Sequence, residues 1–437
     1  QFTKISWECH DSVGLPTMLR RAFKVAMTSP GGPVYLAVPD HVLESRGVTG
    51  AIFPRQEFII PDEIPPSPEG VDRVAKLLLE ARSPALLLGD EVSRAGAQAE
   101  VFELAELLQI PVGDQGLPAY HNFPRQHPLF MGRHSSRGKD AVVYVGATDT
   151  GMGSDPPEAT VICVGLNTTA IGSTRPFDLA LVANVKLALR AIIDSVRSQA
   201  TKDRIARIAS GRTPGPRGPR EIQRVRTGMS PIHPDELGWA LEEELDRNAI
   251  IVSENLSGSN SFFSTGFRDD EKMWLSTSGA GLGWGVGAAI GAKLGQPDRQ
   301  VVCNIGDGSL MYSASGFWSQ ARYGVPVLTV VCNNLNYQTV RNAYVRYGGK
   351  MQAANRFTGM YLGDPAIDFV KLAQSQGVEG ALVESSGELR AALRRGIEAT
   401  RGGSPFLLDV RVRRTGPGAD STWHQEFNLA EKRTRAV

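Results

Sequence analysis

Val301-Val302-Cys303-Asn304-Ile305-Gly306-Asp307-Gly308-Ser309 reads as an apolar β-strand that ends abruptly in Gly-Asp-Gly-Ser. A near-continuous apolar run of this kind suits a strand of a parallel sheet covered on both faces. In such sheets ligands bind beyond the carboxyl ends of the strands. Two glycines let a ligand approach the backbone closely. Asp307 offers a hard anionic oxygen, and Ser309 adds a hydroxyl and a backbone amide where a phosphate fits. The next apolar run, Pro326 to Cys332, ends in Asn333-Asn334-Leu335-Asn336-Tyr337. Adjacent strand ends would set Asp307 beside Asn334. A carboxylate, an amide oxygen and a loop carbonyl suit Mg²⁺, which takes its remaining ligands from phosphate.

Outward from this pair the same alternation continues. Helix Pro234–Leu245 and strand Ala249–Ser253 precede it, with a Gly-rich helix start over 278–290. Helix Ser313–Tyr323 separates the two strands. Helices Ala366–Gln376 and Gly387–Thr400 and strand Pro405–Val412 follow. Upstream, the apolar runs Ala85–Gly89, Pro111–Gly113, Ala141–Gly146, Ala159–Val164 and Leu179–Val182 alternate with helical patterns at Gly70–Ala81, Ala97–Leu108 and Val185–Val196. The fold class is therefore α/β, with doubly wound parallel sheets. At the start, helix Leu15–Ala26 and strand Val34–Pro39 are too little for a core and look like the tail of an α/β domain. The expected organisation is residues 1–60 as that tail, 68–200 as a middle domain, 201–229 as a linker, 230–415 as the main ligand-binding domain and 416–437 as a terminal arm.

The 437 residues carry 47 basic and 46 acidic side chains, a net charge of +1. That balance gives no electrostatic reason for a nucleic-acid or acidic-membrane partner. The Pro- and Arg-rich stretch Arg212–Arg226 reads as a solvated strap between domains. No apolar run reaches the length needed to span a bilayer, and a cytoplasmic location is expected. Cys9, Cys163, Cys303 and Cys332 show no C-x-x-C pairing and read as buried, reduced thiols. No His/Cys spacing suggests zinc. His121, His127 and His134 are expected to be structural.

Gly306-Asp307-Gly308-Ser309 with Asn333-Asn334 resembles the diphosphate-binding signature of thiamine diphosphate (ThDP) enzymes of the pyruvate decarboxylase and acetolactate synthase type. The resemblance covers essentially the whole chain. It implies the end of a pyrimidine-binding domain, a Rossmann-like middle domain and a diphosphate-binding domain. It further implies that Asp307, the Asn334 side chain and the Asn336 backbone carbonyl ligate Mg²⁺. Gly306, Gly308, Ser309 and Tyr337 would line the diphosphate turn, with Ser309 touching the diphosphate. Glu254-Asn255-Leu256-Ser257 looks like a second diphosphate turn, with Asn255 and Ser257 as contacts. Ser278-Gly279-Ala280-Gly281-Leu282-Gly283 looks like the segment that bends the cofactor. Leu282 matches the apolar wedge, and Gly279 or Ala280 matches the carbonyl that meets the aminopyrimidine.

Around the signature, Ser309 to Trp318 is most similar to benzoylformate decarboxylases, and Tyr337 to Arg341 borders the substrate in these enzymes, making Thr339 and Val340 pocket candidates. The resemblance implies a 2-keto acid decarboxylase: a cofactor ylid attacks the keto carbon, CO₂ leaves and the enamine is protonated. The alternatives are an acetolactate synthase-like carboligase, in which an aldehyde or second keto acid captures the enamine, and a non-catalytic cofactor-binding subunit. The last arises because the family's activating glutamate would lie ahead of the region matched by Leu15–Pro39, so no residue here is assigned to it. The loop 146–154 has neither the histidine of benzoylformate decarboxylases nor the basic-aromatic run of flavin-binding synthases, so FAD is not expected. A homodimer or tetramer with a shared active site is implied.

Overall fold

A computed structural model describes residues 2–58, 61–133, 136–147, 158–173, 176–212, 227–256, 263–266, 270–277, 281–416 and 418–423. The chain divides into two compact units, one of residues 1–116 and 131–214, the other of residues 117–130 and 215–437.

In the first unit, β1 (Ile5–Glu8) pairs in parallel with β2 (Val34–Ala37). Between them runs the helix Leu15–Met27, which has no buried residue. The larger sheet comprises β3 (Pro84–Leu88), β4 (Val112–Asp114), β5 (Phe130–Arg133), β6 (Ala141–Val145), β7 (Thr160–Gly165) and β8 (Leu179–Val182), in the order β5-β4-β3-β6-β7-β8. Strands β3 and β6 are buried at every position, which is why they read as unbroken apolar runs. Helices Pro68–Glu80 and Val185–Gln199 each bury one apolar stripe. Their starts are set by Ser67, whose hydroxyl accepts from Gly70 N–H, and by Asn184, which accepts from Lys186 and Leu187.

The stretch expected to be a linker is partly structured. Residues Lys202–Gly211 form a helix capped by Thr201. Arg212 is buried rather than solvated. Its guanidinium donates to the Leu108 carbonyl at 2.7 Å and to the Leu78 and Ala81 carbonyls at 2.5 and 2.8 Å. These carbonyls lie at helix C-termini, where backbone acceptors lack intrahelical donors. The remainder of the expected strap, 213–226, lies outside the described residues.

The second unit holds β9 (Ile250–Glu254), β10 (Met273–Ser276), β11 (Val301–Gly306), β12 (Leu328–Asn333), β13 (Glu379–Val383) and β14 (Phe406–Arg411). All described pairings among them are parallel, in the order β10-β9-β11-β12-β14-β13. Alternate residues feed two cores. Ile251, Val302, Leu328, Val330 and Leu408 pack with Leu237, Leu241, Leu389 and Leu393 on one face. Ile250, Val252, Cys303, Ile305 and Val331 pack with Val286, Phe317 and Phe369 on the other. Helices on both faces make this sheet doubly wound, as expected. The chain steps from β9 outward to β10, then back across β9 to β11. The order therefore reverses between β9 and β11, and the crevice at their carboxyl ends is the topological switch point.

All four cysteines are free and buried. Among the described residues no helix is long and apolar enough to cross a membrane.

Candidate functional site

Register fixes what meets at the switch point. Gly306 on β11 lies opposite Cys332 on β12. Asp307, just after β11, therefore emerges level with Asn333, the last residue of β12, and with the 334–336 loop that follows it. Asp307 is buried. Its Oδ1 accepts Gly308 N–H at 2.8 Å and its Oδ2 accepts Asn336 N–H at 3.3 Å, so the loop after β12 folds back over the end of β11. Burial pushes the Asp307 carboxyl up to about 6, only partly offset by these backbone donors, and the nearby Asp409 carboxylate raises it too.

Two further oxygens there are unsatisfied. Asn334 Oδ1 and Asn336 Oδ1 are both buried without a hydrogen-bond partner in the described structure. The Asn336 carbonyl accepts Gln338 N–H at 2.8 Å, which leaves one lone pair. A buried amide oxygen without a donor costs on the order of 1–3 kcal/mol. A hard divalent cation would satisfy Asn334 and relieve Asp307 at once, so the donor set fits Mg²⁺. Among the described residues no three His, Cys, Asp or Glu side chains cluster as a metal group. This donor set contains one carboxylate, with amide and carbonyl oxygens supplying the rest.

Small residues open the turn. A Cβ on Gly308 would stand 2.4 Å from Tyr337 Cε1, so the tyrosine ring lies where any side chain at 308 would go. Ser309 is half-buried just beyond. Leu335 carries the loop through the left-handed region at φ 55, a conformation that costs an L-residue with a side chain roughly 1–2 kcal/mol.

The end of β9 supplies two functions. Glu254, fully buried, accepts Gly283 N–H at 2.6 Å and also the N–H of Gly285, at the start of helix Gly285–Gly295. A carboxylate there satisfies orphan donors and suits the positive helix end. It fixes the segment carrying Leu282, which is 39% exposed, and Gly283, at φ 93. Asn255 Nδ2 donates to Cys332 Sγ at 2.7 Å and Asn304 Oδ1 at 3.3 Å, and Cys332 Sγ approaches Asn304 Oδ1 at 3.3 Å. This polar triangle spans three strand ends, and burial pushes the Cys332 thiol up to about 12. The amide nitrogen of Asn255 is thereby committed to neighbouring strands. No sequence motif marks Glu254 or Asn304 for these contacts, and Cys332 reads in the sequence only as a buried thiol. The visible signal was a polar residue inside each apolar run.

The structure thus brings Asn255, Gly306, Asp307, Gly308, Ser309, Asn334, Asn336 and Tyr337 to adjoining strand ends. Thr339 and Val340 sit exposed on the first turn of helix Gln338–Tyr347, directly after Tyr337. Ser257, Gly279 and Ala280 lie outside the described residues, as do His134 and most of the 146–154 loop. His121 stacks on Trp274 at 4.6 Å and contacts the Thr265 hydroxyl. Burial holds its imidazole well below the usual range, so it is neutral. His127 Nδ1 accepts Leu129 N–H at 3.2 Å, a local turn contact.

A doubly wound parallel sheet with a glycine-lined turn and buried oxygen donors at adjoining strand ends is a fold class that receives ligands at that edge. Sequence comparison specifies the family. Residues 71–192 match the central domain of thiamine pyrophosphate enzymes, and residues 257–410 match their C-terminal TPP-binding domain. The chain belongs to that family and carries these two domains. It is 28% identical over 430 residues to a benzoylformate decarboxylase of Pseudomonas aeruginosa, covering 92% of this chain and 75% of that one. It is 27% identical over 445 residues to a protein named a probable acetolactate synthase large subunit of Methanococcus aeolicus, covering 94% and 72%. The thiamine diphosphate-dependent 4-hydroxybenzoylformate decarboxylase of Rhodococcus jostii RHA1 superposes with a TM-score of 0.75 at 25% identity, over 94% of this chain and 76% of the other.

Proposed function

We propose that this chain binds ThDP through Mg²⁺ and serves a 2-keto acid decarboxylase of the benzoylformate type. The observation that carries the reading is the tie of the Asp307 carboxylate to the Asn336 backbone N–H, in the same loop as the buried, donor-less Asn334 oxygen. ThDP, when bound, would supply the electron sink that decarboxylation of a 2-keto acid requires. The chain's own residues do the rest. Asp307, Asn334 and the Asn336 carbonyl hold the cation that anchors the diphosphate. Ser309 donates its hydroxyl to the diphosphate, and Gly306 and Gly308 let the backbone come close. Ser257 would add a second diphosphate contact, and Asn255 is held in place by Cys332 and Asn304. Leu282 would wedge the cofactor, and the resemblance assigns to Gly279 or Ala280 the carbonyl that would meet its ring. Thr339 and Val340 border the keto acid. A small 2-keto acid is the substrate class.

A second reading is supported by the relatives named acetolactate synthase: a carboligase that passes the activated fragment to an aldehyde or second keto acid. Copies of the chain associate as a dimer or tetramer on this reading, supported by the exposed Met311, Tyr312 and Trp318, at 48%, 66% and 54%.

The test begins with calorimetric titration of ThDP in the presence and absence of Mg²⁺. Tight uptake that requires Mg²⁺ is expected. Failure of both titrations would remove the reading. Product analysis then separates the two activities: benzaldehyde and CO₂ from benzoylformate support the decarboxylase, and acetolactate as sole product from pyruvate supports the carboligase.

A further inference from the structure

On the far side of β12 from Asp307, the second unit holds a cavity of about 360 Å³. Its lining includes Asn333, Asn334, Arg411, Arg413, Arg414 and Asp420, three guanidinium groups against one carboxylate. Asp307, Gly308 and Ser309 do not line it, although it shares Asn334 with the proposed cation site. It does share the carboxyl-end position, where parallel sheets receive ligands.

The cationic groups are under-used. Arg411 Nη1 is buried with no hydrogen-bond partner in the described structure. Its Nη2 lies 4.0 Å from Asp409 Oδ2, beyond a hydrogen bond, and Asp409 Oδ1 already accepts Asn333 Nδ2 at 2.8 Å. Arg413 is exposed. Arg414 donates to the Ser421 carbonyl at 3.2 Å and lies over the Tyr361 ring, so neither contact neutralises its charge. Arg341, which does not itself line the cavity, interacts electrostatically with Arg414 and with Asp420. It is wholly buried, donates through Nη1 to the Gly418 carbonyl, and leaves Nε and Nη2 without partners. Buried guanidinium N–H groups left unmade are costly, and a planar or tetrahedral oxyanion is what their fork geometry matches.

We propose that this cavity is a binding site for a small oxyanion, the phosphate or carboxylate group of a metabolite, seated on Arg411 and Arg414 beside the cofactor loop. A single chain of contacts links it to that loop. Arg411 faces Asp409, Asp409 holds Asn333, and Asn333 Oδ1 accepts Leu335 N–H at 3.2 Å. The strained Leu335 and its neighbour Asn334 also line the cavity, so an occupant lies directly against that loop.

The test is calorimetric titration of the full chain at low ionic strength with inorganic phosphate and, separately, acetate. Saturable one-site binding of at least one probe is expected, with phosphate or acetate preference identifying the source of the oxyanion. Arg411→Gln and the rim variant Arg414→Gln should each weaken it by about tenfold or more. The distant exposed Arg322→Gln should not. Binding should persist when ThDP and Mg²⁺ are already in excess. Saturable binding of neither probe overturns the proposal, and so does binding undiminished in both cavity variants. Phosphate binding abolished by excess ThDP belongs to the diphosphate turn and overturns it as well. None of these readouts depends on turnover, so a chain that fails the keto acid assays still gives a decisive answer here.

Discussion

The Asp307 carboxylate accepts the Asn336 backbone N–H at 3.3 Å, which ties the loop after β12 to the turn after β11. The two strand ends are thus joined before any cation arrives. Backbone geometry holds these two turns together, and the Asp307 carboxylate is kept under desolvation stress. That stress has a readable pH signature. Burial raises Asp307 from 3.8 to about 6. A carboxyl raised in this way favours the neutral acid in the folded state. Its contribution to stability is complete below about pH 4 and is lost as pH rises through 6, by roughly 3 kcal/mol at most. Denaturant titrations of the metal-free chain at pH 4.5 and 7 should therefore show Asp307→Asn gaining on the unsubstituted chain as pH rises. A constant difference between the two would refute the assignment. The same variant should lose Mg²⁺-dependent ThDP uptake.

Leu335 invites an inverted substitution order. At φ 55 its backbone is strained for any residue with a Cβ. Replacing it by alanine or glycine removes the same side-chain contacts to within one methyl group, but only glycine removes the strain. Leu335→Gly should be more stable than Leu335→Ala by about 1 kcal/mol, the reverse of the order in ordinary helices and strands. Equilibrium unfolding of the two variants side by side checks this, and a more stable alanine variant would contradict the loop geometry.

Gly308 and Tyr337 form a steric pair. A Cβ at 308 would lie 2.4 and 2.8 Å from Tyr337 Cε1 and Cδ1. Gly308→Ala must push the ring aside, at about 1–3 kcal/mol. The double variant Gly308→Ala/Tyr337→Ala should recover most of that loss. A double-mutant cycle in thermal or chemical unfolding measures the coupling, and strictly additive losses would show that the two residues do not meet.

Much of this arrangement could be read from the sequence because it rests on period and spacing. Strands such as β3, β6 and β11 are buried on both faces, so they stand out as apolar runs, and their punctuation by Gly306 and Asn333 marks the ligand-binding edge. What stayed hidden follows from weaker signals. Strands β1, β10 and β13 are short and edge-placed, with mixed burial, so no apolar run announces them. Helix Lys202–Gly211 buries only Ile205, so its charged sequence reads as a linker. Arg212 shows why charge alone misleads, since a guanidinium can be buried where helix carbonyls converge. Helix Gln338–Tyr347 buries Gln338 and Arg341, polar residues that break any apolar stripe. Glu254 and Asn304 act through tertiary partners 29 and 49 residues away, from Gly283 and to Asn255 respectively, and no local pattern encodes such pairings.

Glu254 gives the last test. Its two carboxylate oxygens each take one N–H from the turn entering helix Gly285–Gly295. The charge is buried and both bonds are charge-assisted, so removing the acceptor strands two buried donors. Glu254→Ala should cost about 2–4 kcal/mol, and it opens space beside Gly285, whose missing Cβ already faces Glu254 Oε2 at 2.9 Å. Glu254→Gln keeps the shape and one acceptor but turns an amide donor toward the second N–H, so it should fall between the two. Hydrogen exchange separates this local role from general destabilisation. Amides of 283–289 should lose protection in Glu254→Gln well before the core of β11 and β12 does. Uniform loss across the unit would mean that Glu254 supports the sheet as a whole. Loss confined to the helix start means that Glu254 holds the turn carrying Leu282, and the glutamine variant should then weaken ThDP uptake more than its stability loss alone accounts for.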